Sequence, residues 1–243
     1  TAQVAALSTA QVSALTSSQL AAMSSTQLAA LNPANVSVLS SAQMLSLSAD
    51  QLAGLGSSQM ATLSTASLNA LLLTDATRLS ASQVANLTPA QIISLTTGNM
   101  AALGTDQLAA MTSDQLSSLS SAQIQAIAPE RISALQVSQV ASLPTRLIAA
   151  LTSTQVAALG TDQIAVFSAN QLSGLESADI AMWSSQQLNA MDDITALSSL
   201  QIASLGTDAL RGLSTAHISA FNADTARALT SVQMQSFSGE QLN

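Results

Sequence analysis

The sequence predicts an all-α protein, a solenoid of very short helices in which one helix of about six residues forms per eight-residue repeat. Three observations lead to this prediction. A large apolar residue recurs every eighth position, a second apolar residue follows five positions later, and Ser or Thr usually follows the first. With the first apolar residue as position one, the octad reads L-[ST]-x-x-Q-[LVIM]-[AS]-[AS]. Position one falls on Leu7, Leu15 and every eighth residue to Met191, and it resumes from Leu197 to Phe237.

Uniform secondary structure does not account for this period. In one continuous helix, eight residues advance by ~800°, so the apolar stripe would rotate by ~80° per repeat. In a strand, positions one and six have opposite parity and would face opposite sides of a sheet. A helix that restarts in every octad keeps both positions on one side, and a β-solenoid is the alternative fold.

Each octad contains the residues that start a helix. Ser or Thr at position two is a favoured N-cap, and Gln at position five is then the partner residue of a capping box. Positions one and six form the two halves of a hydrophobic staple. Pro33, Pro89 and Pro129 fall at position three, the first helical residue, where a missing N–H costs little.

The charged residues support the same frame. All 13 acidic residues fall at positions two, four or five, near the predicted helix N-termini. Negative charge is favourable there because the helix dipole is positive at that end. Eight of them share position four: Asp50, Asp106, Asp114, Glu130, Asp162, Asp208, Asp224 and Glu240.

The domain prediction is one octad solenoid over residues 1–243. Isolated helices shorter than ~12 residues are marginal in water, so each octad must stack on its neighbours. Because the chain begins and ends in mid-repeat, we expect a segment of a longer array. The number of octads per turn and the handedness stay open at this stage.

Three stretches depart from the consensus. The register breaks at residues 191–196, where "MDDITA" is two residues short. Octad 71–78 has Leu72 in place of a cap, and residues 127–150 place Ala128, Gln136 and Pro144 at position two. We interpret these departures as drift in a tolerant array, and the alternative is a local change of curvature or a contact site.

Composition argues against several classes of partner. The formal net charge is −8, with five Arg and no Lys, so the chain cannot build the basic surface that nucleic acid requires. No Cys is present for disulfides or thiolate metal sites. No apolar run approaches the ~18 residues of a membrane helix, so we expect no membrane insertion by this segment.

The sequence predicts no catalytic, cofactor-binding or metal site, and therefore no enzyme. His217, the single histidine, takes position five, where we expect it to replace Gln in the helix cap. Asp192 and Asp193 could offer oxygen atoms to calcium, but no EF-hand spacing surrounds them. The aromatic residues all take position one and are expected in the core: Phe167, Trp183, Phe221 and Phe237.

Units such as "LTSTQVAA" (151–158) and "LGTDQIAV" (159–166) resemble octad tracts of very large bacterial exported proteins. Those proteins are labelled adhesin-like, haemagglutinin-like or haem-utilisation proteins. The resemblance implies a secreted or cell-surface location and brings no catalytic residues and no haem ligands. We therefore expect a structural spacer or scaffold, in adhesion or extracellular matrix, whose certain partners are its own neighbouring repeats. The alternative is a solenoid that binds a surface or matrix protein, a peptide or a glycan.

Overall fold

A computed structural model describes residues 1–242 of the chain. Within these residues the secondary structure consists of 28 α-helices and two 3-10 helices, and no β-strand is present. The all-α prediction is confirmed, and the β-solenoid alternative is wrong. Internal contacts divide the chain into two compact units, Thr1–Ala126 and a second unit that begins at Ile127.

The first unit contains fifteen α-helices and the 3-10 helix Ala76–Arg78. The helices are α1 (Ala2–Ala5), α2 (Thr9–Ser13), α3 (Ser17–Ala21), α4 (Ser25–Ala29), α5 (Pro33–Ser37), α6 (Ser41–Leu45), α7 (Ala49–Ala53), α8 (Ser57–Met60), α9 (Thr65–Thr74), α10 (Ala81–Ala85), α11 (Pro89–Ile93), α12 (Thr97–Ala102), α13 (Thr105–Ala109), α14 (Ser113–Ser118) and α15 (Ser121–Gln125).

Within its described residues, the second unit contains thirteen α-helices and the 3-10 helix Ile194–Ala196. The helices are α16 (Pro129–Ile132), α17 (Val137–Ser142), α18 (Thr145–Ile148), α19 (Ser153–Ala157), α20 (Thr161–Ala165), α21 (Ala169–Ser173), α22 (Ser177–Ile180), α23 (Ser185–Asn189), α24 (Ser199–Ser204), α25 (Thr207–Arg211), α26 (Thr215–Ser219), α27 (Ala223–Ala228) and α28 (Ser231–Ser236).

Each regular octad forms its helix in the predicted frame. In α3, the cap Thr16 is extended (φ −72°, ψ 156°) and its hydroxyl accepts the N–H of Gln19. The Gln19 side chain accepts the N–H of Thr16 in return, which completes the capping box. Most helices have five residues, slightly fewer than predicted, because position eight already serves as the C-terminal cap.

Three octads form one turn of the coil within each unit. Helices contact the helix three places further along, as α3 contacts α6 and α11 contacts α14 in the first unit. In the second unit α19 contacts α22, and α25 contacts α28. Three octads of eight residues give a turn of 24 residues, which the sequence had left open.

Positions one and six form the buried seam of each turn, as predicted. Leu20, Leu52, Leu108 and Ile164 at position six are almost fully buried, and Leu103 at position one is 0% exposed. Burial of one such side chain stabilises the fold by roughly 1.5–3 kcal/mol. This apolar burial is what holds helices too short to persist alone.

Small residues at position eight allow successive turns to approach closely. A Cβ atom on Gly174 would lie 2.8 Å from Cγ2 of Thr145, and one on Gly212 would lie 2.4 Å from Oγ of Ser185. Both neighbours belong to helices one turn earlier in the second unit. Larger side chains at these positions would therefore push the turns apart.

The irregular stretches change the helices locally. With no cap at Leu72, α9 continues for ten residues to Thr74, and the 3-10 helix Ala76–Arg78 follows. At the two-residue deletion, the 3-10 helix Ile194–Ala196 replaces a regular helix. In residues 127–150, helices still form although Ala128 and Pro144 make no side-chain cap.

Candidate functional site

The most regular polar feature of the chain is the glutamine at position five, which connects consecutive turns. Gln115 is 1% exposed and uses both ends of its amide. Its Oε1 accepts the N–H of the cap Thr112 at 2.8 Å. Its Nε2 donates to the carbonyl oxygens of Val84 at 2.9 Å and Leu87 at 2.5 Å, one turn earlier. One side chain thus starts its own helix and satisfies carbonyls of the preceding turn.

The same arrangement recurs along both units, and we call it the glutamine ladder. Its members donate from Nε2 to the carbonyl of the residue 28 positions earlier, at 2.5–2.9 Å: Gln43, Gln51, Gln59, Gln91, Gln107, Gln115, Gln123, Gln155, Gln163, Gln171, Gln187, Gln233 and Gln241. Gln201 reaches Leu175, only 26 positions earlier, because the two-residue deletion lies between them.

Sequence reasoning predicted the capping half of this role and missed the half between turns. A signal was present, since position five holds Gln in 20 of its 31 occurrences and never Glu. A glutamate can accept the cap N–H equally well, but its carboxylate has no N–H to donate. The exclusion of Glu therefore indicated a second, donating contact.

Asparagine at position five is too short to perform both tasks. Asn35 donates from Nδ2 to the Leu7 carbonyl at 2.8 Å, and Asn99 donates to the Asn69 carbonyl at 3.1 Å. The Oδ1 atoms of Asn35 and Asn99 are buried without a hydrogen-bond partner. Asn99 lies in the helix capped by Thr96, and the Thr96 N–H donates instead to Oδ1 of Asn69 in the preceding turn.

His217 is a ladder member of different chemistry. Its Nε2 lies 3.0 Å from the Met191 carbonyl, 26 positions earlier, and its Nδ1 lies 2.7 Å from the Ser214 hydroxyl. Because a carbonyl oxygen can only accept, Nε2 donates to it. The Ser214 N–H instead reaches Oδ1 of Asn189 at 2.9 Å. The imidazole therefore contacts the cap hydroxyl but does not accept the cap N–H, so the expectation that it replaces Gln in the capping contact is wrong for that bond. It also connects two turns.

In two octads, an aspartate takes position five in place of a ladder glutamine and caps a 3-10 helix. Oδ1 of Asp75 accepts the N–H of Thr77 at 2.9 Å and its hydroxyl at 2.6 Å. Oδ1 of Asp193 makes the same contacts with Thr195, at 2.8 Å and 2.5 Å. The side-chain bond first, and the backbone bond second, lower the pKa of both carboxyls below the usual 3.8.

An aspartate cannot donate to the preceding turn, and the first of these octads has a substitute. The guanidinium of Arg78 donates to the carbonyl of Leu47, the atom that a glutamine in place of Asp75 would reach. In the second octad, Ala196 takes the register position of Arg78. Two cavities border Asp192 and Asp193 there, of about 180 Å³ and about 120 Å³.

The aromatic residues lie where position one places them. Trp183 is 2% exposed, and its indole N–H donates to the Val156 carbonyl at 3.3 Å. Phe167 lies 6.5 Å from Trp183 between ring centroids and is half-buried. Phe221 and Phe237 are also half-buried. Trp183 is thus a core residue as expected, whereas the phenylalanines are only partly covered.

The outer surface is acidic. All eight acidic residues at position four are exposed. Ion pairs join Arg211 to Asp208 and Arg227 to Asp224, each at 3.2 Å between neighbouring, exposed side chains. The described residues hold no group of three or more His, Asp or Glu side chains placed to bind a metal. None of the helices in this part of the chain is long and apolar enough to span a membrane.

Comparison with known proteins finds a repeat family. Residues 1–25, 92–129, 100–137 and 132–169 are similar to the ALTTAQ repeat. Two of these matches begin eight residues apart, at 92 and 100, which reproduces the octad period. The matches cover less than half of the chain, so they support a tandem-repeat tract and a structural repeat module. No curated protein matches the chain at a significant level.

Proposed function

We propose that the chain is a spacer or scaffold module of a bacterial cell-surface or secreted protein and performs no catalysis. The observation that carries this proposal is the glutamine ladder. The most regular polar side chains of the molecule make contacts between consecutive turns and do not line an exposed ligand site. An array built from such contacts lengthens by a fixed amount with each added turn.

The position of the irregular octads favours a spacer over a binding solenoid. In a binding solenoid, departures from the consensus should lie on one side of the coil. In the second unit, the altered caps Ala128, Gln136 and Pro144 occupy three consecutive octads. Three octads complete a turn, so these departures are distributed over all of its sides.

The surface and the resemblance support an exported location. Exposed acids and the absence of Lys keep a long array soluble and limit adhesion to other acidic surfaces. The octads resemble tracts of bacterial adhesin-like exported proteins. Antibody labelling of intact and permeabilised producing cells tests this part of the proposal, because labelling only after permeabilisation contradicts it.

The length of the chain tests the spacer role directly. Deletion of the three octads Leu39–Thr62 removes one whole turn and leaves the register unchanged. Helix axes pack 8–10 Å apart, so the maximum dimension in small-angle X-ray scattering should fall by about that amount. Deletion of Leu39–Ser58, which is not a multiple of eight residues, is the control. It leaves the octad at the junction without its positions one to four, so the thermal midpoint should fall further than in the whole-turn deletion. An unchanged dimension in a folded whole-turn deletion would contradict the spacer role.

A further inference from the structure

We call the cavity of about 180 Å³ at the register break the break cavity. It is lined by Ile164, Ala165, Phe167, Asp192, Asp193 and Ala196, among other residues. The octad that borders it has a counterpart in the first unit, octad 71–78. Residues 75–79 and 193–197 share the sequence Asp-x-Thr-x-Leu and the same aspartate cap on a 3-10 helix. They can therefore be compared position by position.

The break cavity is lined by residues whose carbonyls a ladder side chain would otherwise reach. A regular glutamine donates to carbonyls 31, 30 or 28 positions earlier, as Gln115 does to Val84, Ala85 and Leu87. The deletion shortens these intervals by two residues, as Gln201 shows with its contacts 29 and 26 positions earlier. Counted from Asp193, the corresponding residues are Ile164, Ala165 and Phe167. All three line the cavity.

The first unit shows which chemical group fills the equivalent place. There the guanidinium of Arg78 donates to the Leu47 carbonyl, whose counterpart at the break is the Phe167 carbonyl. Ala196 replaces this arginine in the second unit, and its methyl group leaves the carbonyl without that donor. Among residues 1–242, no side chain donates to the Phe167 carbonyl, and neither Asp192 nor Asp193 pairs with a basic residue.

We propose that the break cavity binds a guanidinium group, the side chain of an arginine supplied from outside this unit. A guanidinium presents five N–H donors in one plane and cannot lose its charge in a protein. It would donate to the Phe167 carbonyl as Arg78 donates to the Leu47 carbonyl. Asp192 is exposed and lines the cavity, so its carboxylate would add the charge-assisted contact that arginine favours. This site is independent of the spacer role, since it uses an octad outside the glutamine ladder.

The three phenylalanines provide the readout in the full chain. In protein labelled with ¹⁵N-phenylalanine, saturable addition of N-acetyl-arginine amide should shift the Phe167 amide signal and leave those of Phe221 and Phe237 in place. N-acetyl-citrulline amide, which has the same shape without the charge, should shift none of them. Asp192→Asn should weaken arginine binding about two- to fivefold, the loss of one exposed ion pair.

The decisive variant is Ala196→Arg, which restores the arrangement of octad 71–78. It should abolish the response of Phe167 to the arginine probe and raise the thermal midpoint of the chain. Ala158→Arg is the matched control, since it adds the same charge at position eight away from the cavity and should leave binding intact. A pentapeptide with one central arginine tests whether the guanidinium belongs to a protein segment or to free arginine. Tighter binding than the blocked amino acid assigns a protein segment, and equal binding assigns free arginine.

Three results would overturn the proposal. They are the lack of a saturable Phe167 shift, an equal response to citrulline, and unchanged binding in Ala196→Arg. Calcium alone provides the competing probe. If calcium shifts the Phe167 signal and prevents the response to arginine, the cavity is a divalent-cation site instead.

Discussion

The turn formed by residues 103–126 and the turn formed by residues 127–150 have equal length and begin their helices differently. In the first, Gln107, Gln115 and Gln123 all accept the N–H of their caps, at 2.8–2.9 Å. In the second, only one such contact is present, between Gln139 and the N–H of Gln136 at 2.7 Å. The other two helices of that turn begin at Ala128 and Pro144 without a side-chain cap.

The apolar seam is the same in both turns. Position six holds Leu108, Leu116 and Ile124 in the first and Ile132, Val140 and Ile148 in the second, and none of them is more than 1% exposed. The comparison teaches that apolar burial forms the coil, while the caps and the ladder adjust its stability. Pro144 illustrates the adjustment, since it has no N–H to be capped and the side chain of Leu147, three places later, has no acceptor atom.

The largest effects should therefore come from the seam and should be equal in the two turns. Ile124→Ala and Ile132→Ala each remove a buried side chain at position six and should lower the free energy of unfolding by about 2–5 kcal/mol. Denaturant unfolding of the two variants measures this. A much smaller loss for Ile132→Ala would show that the second turn is held by other contacts.

The ladder should rank next. Gln115→Glu keeps the cap acceptor but leaves the Val84 and Leu87 carbonyls facing a buried carboxylate, which should cost about 2–3 kcal/mol. Gln19→Glu is the matched control, because Gln19 is exposed and its side chain contacts only its own cap. That variant should change stability by no more than a few tenths of a kcal/mol. Equal losses of stability at both sites would show that the contact between turns does not cause the loss.

The caps should have smaller effects of opposite sign in the two turns. Ser120→Ala removes the hydroxyl that accepts the Gln123 N–H at 3.2 Å and should cost about 1 kcal/mol. Ala128→Ser, one octad later, should gain up to about 1 kcal/mol, because Ala128 already has cap geometry (φ −60°, ψ 142°). Ser121→Ala, at the first helical position, is the control for the loss of a surface hydroxyl. No gain from Ala128→Ser would mean that the second turn cannot use a cap.

The smallest effect concerns the aspartate caps that replace the ladder. Hydrogen bonds from Thr195 lower the folded-state pKa of Asp193 below 3.8, so its stabilising contribution is complete above that pH. It should be lost as the pH falls through the lowered value. Thr195→Val should return the pKa toward 3.8, which carbon-detected NMR titration of the carboxyl measures. An unchanged pKa in this variant would assign the shift to another cause.

Much of the fold could be predicted from the octad, and much of the candidate site could not. The caps, the capping box, the staple and the burial of positions one and six all follow from residues at most five places apart. The contacts of Arg78 with Leu47 and of His217 with Met191 join residues 31 and 26 places apart. Nothing in the local sequence specifies such intervals until the number of octads per turn is known.

The sequence by itself determined where each helix starts and which two positions face inward, because both depend on hydrogen bonds and apolar contacts within one octad. The tertiary structure decided that three octads complete a turn and that the amide of each ladder glutamine meets the turn before it. It also decided that Asp192, Asp193 and Ala196 border a cavity that Phe167 also lines. These features depend on the direction of the chain at every link between helices, and that direction is fixed only when the turns pack on one another.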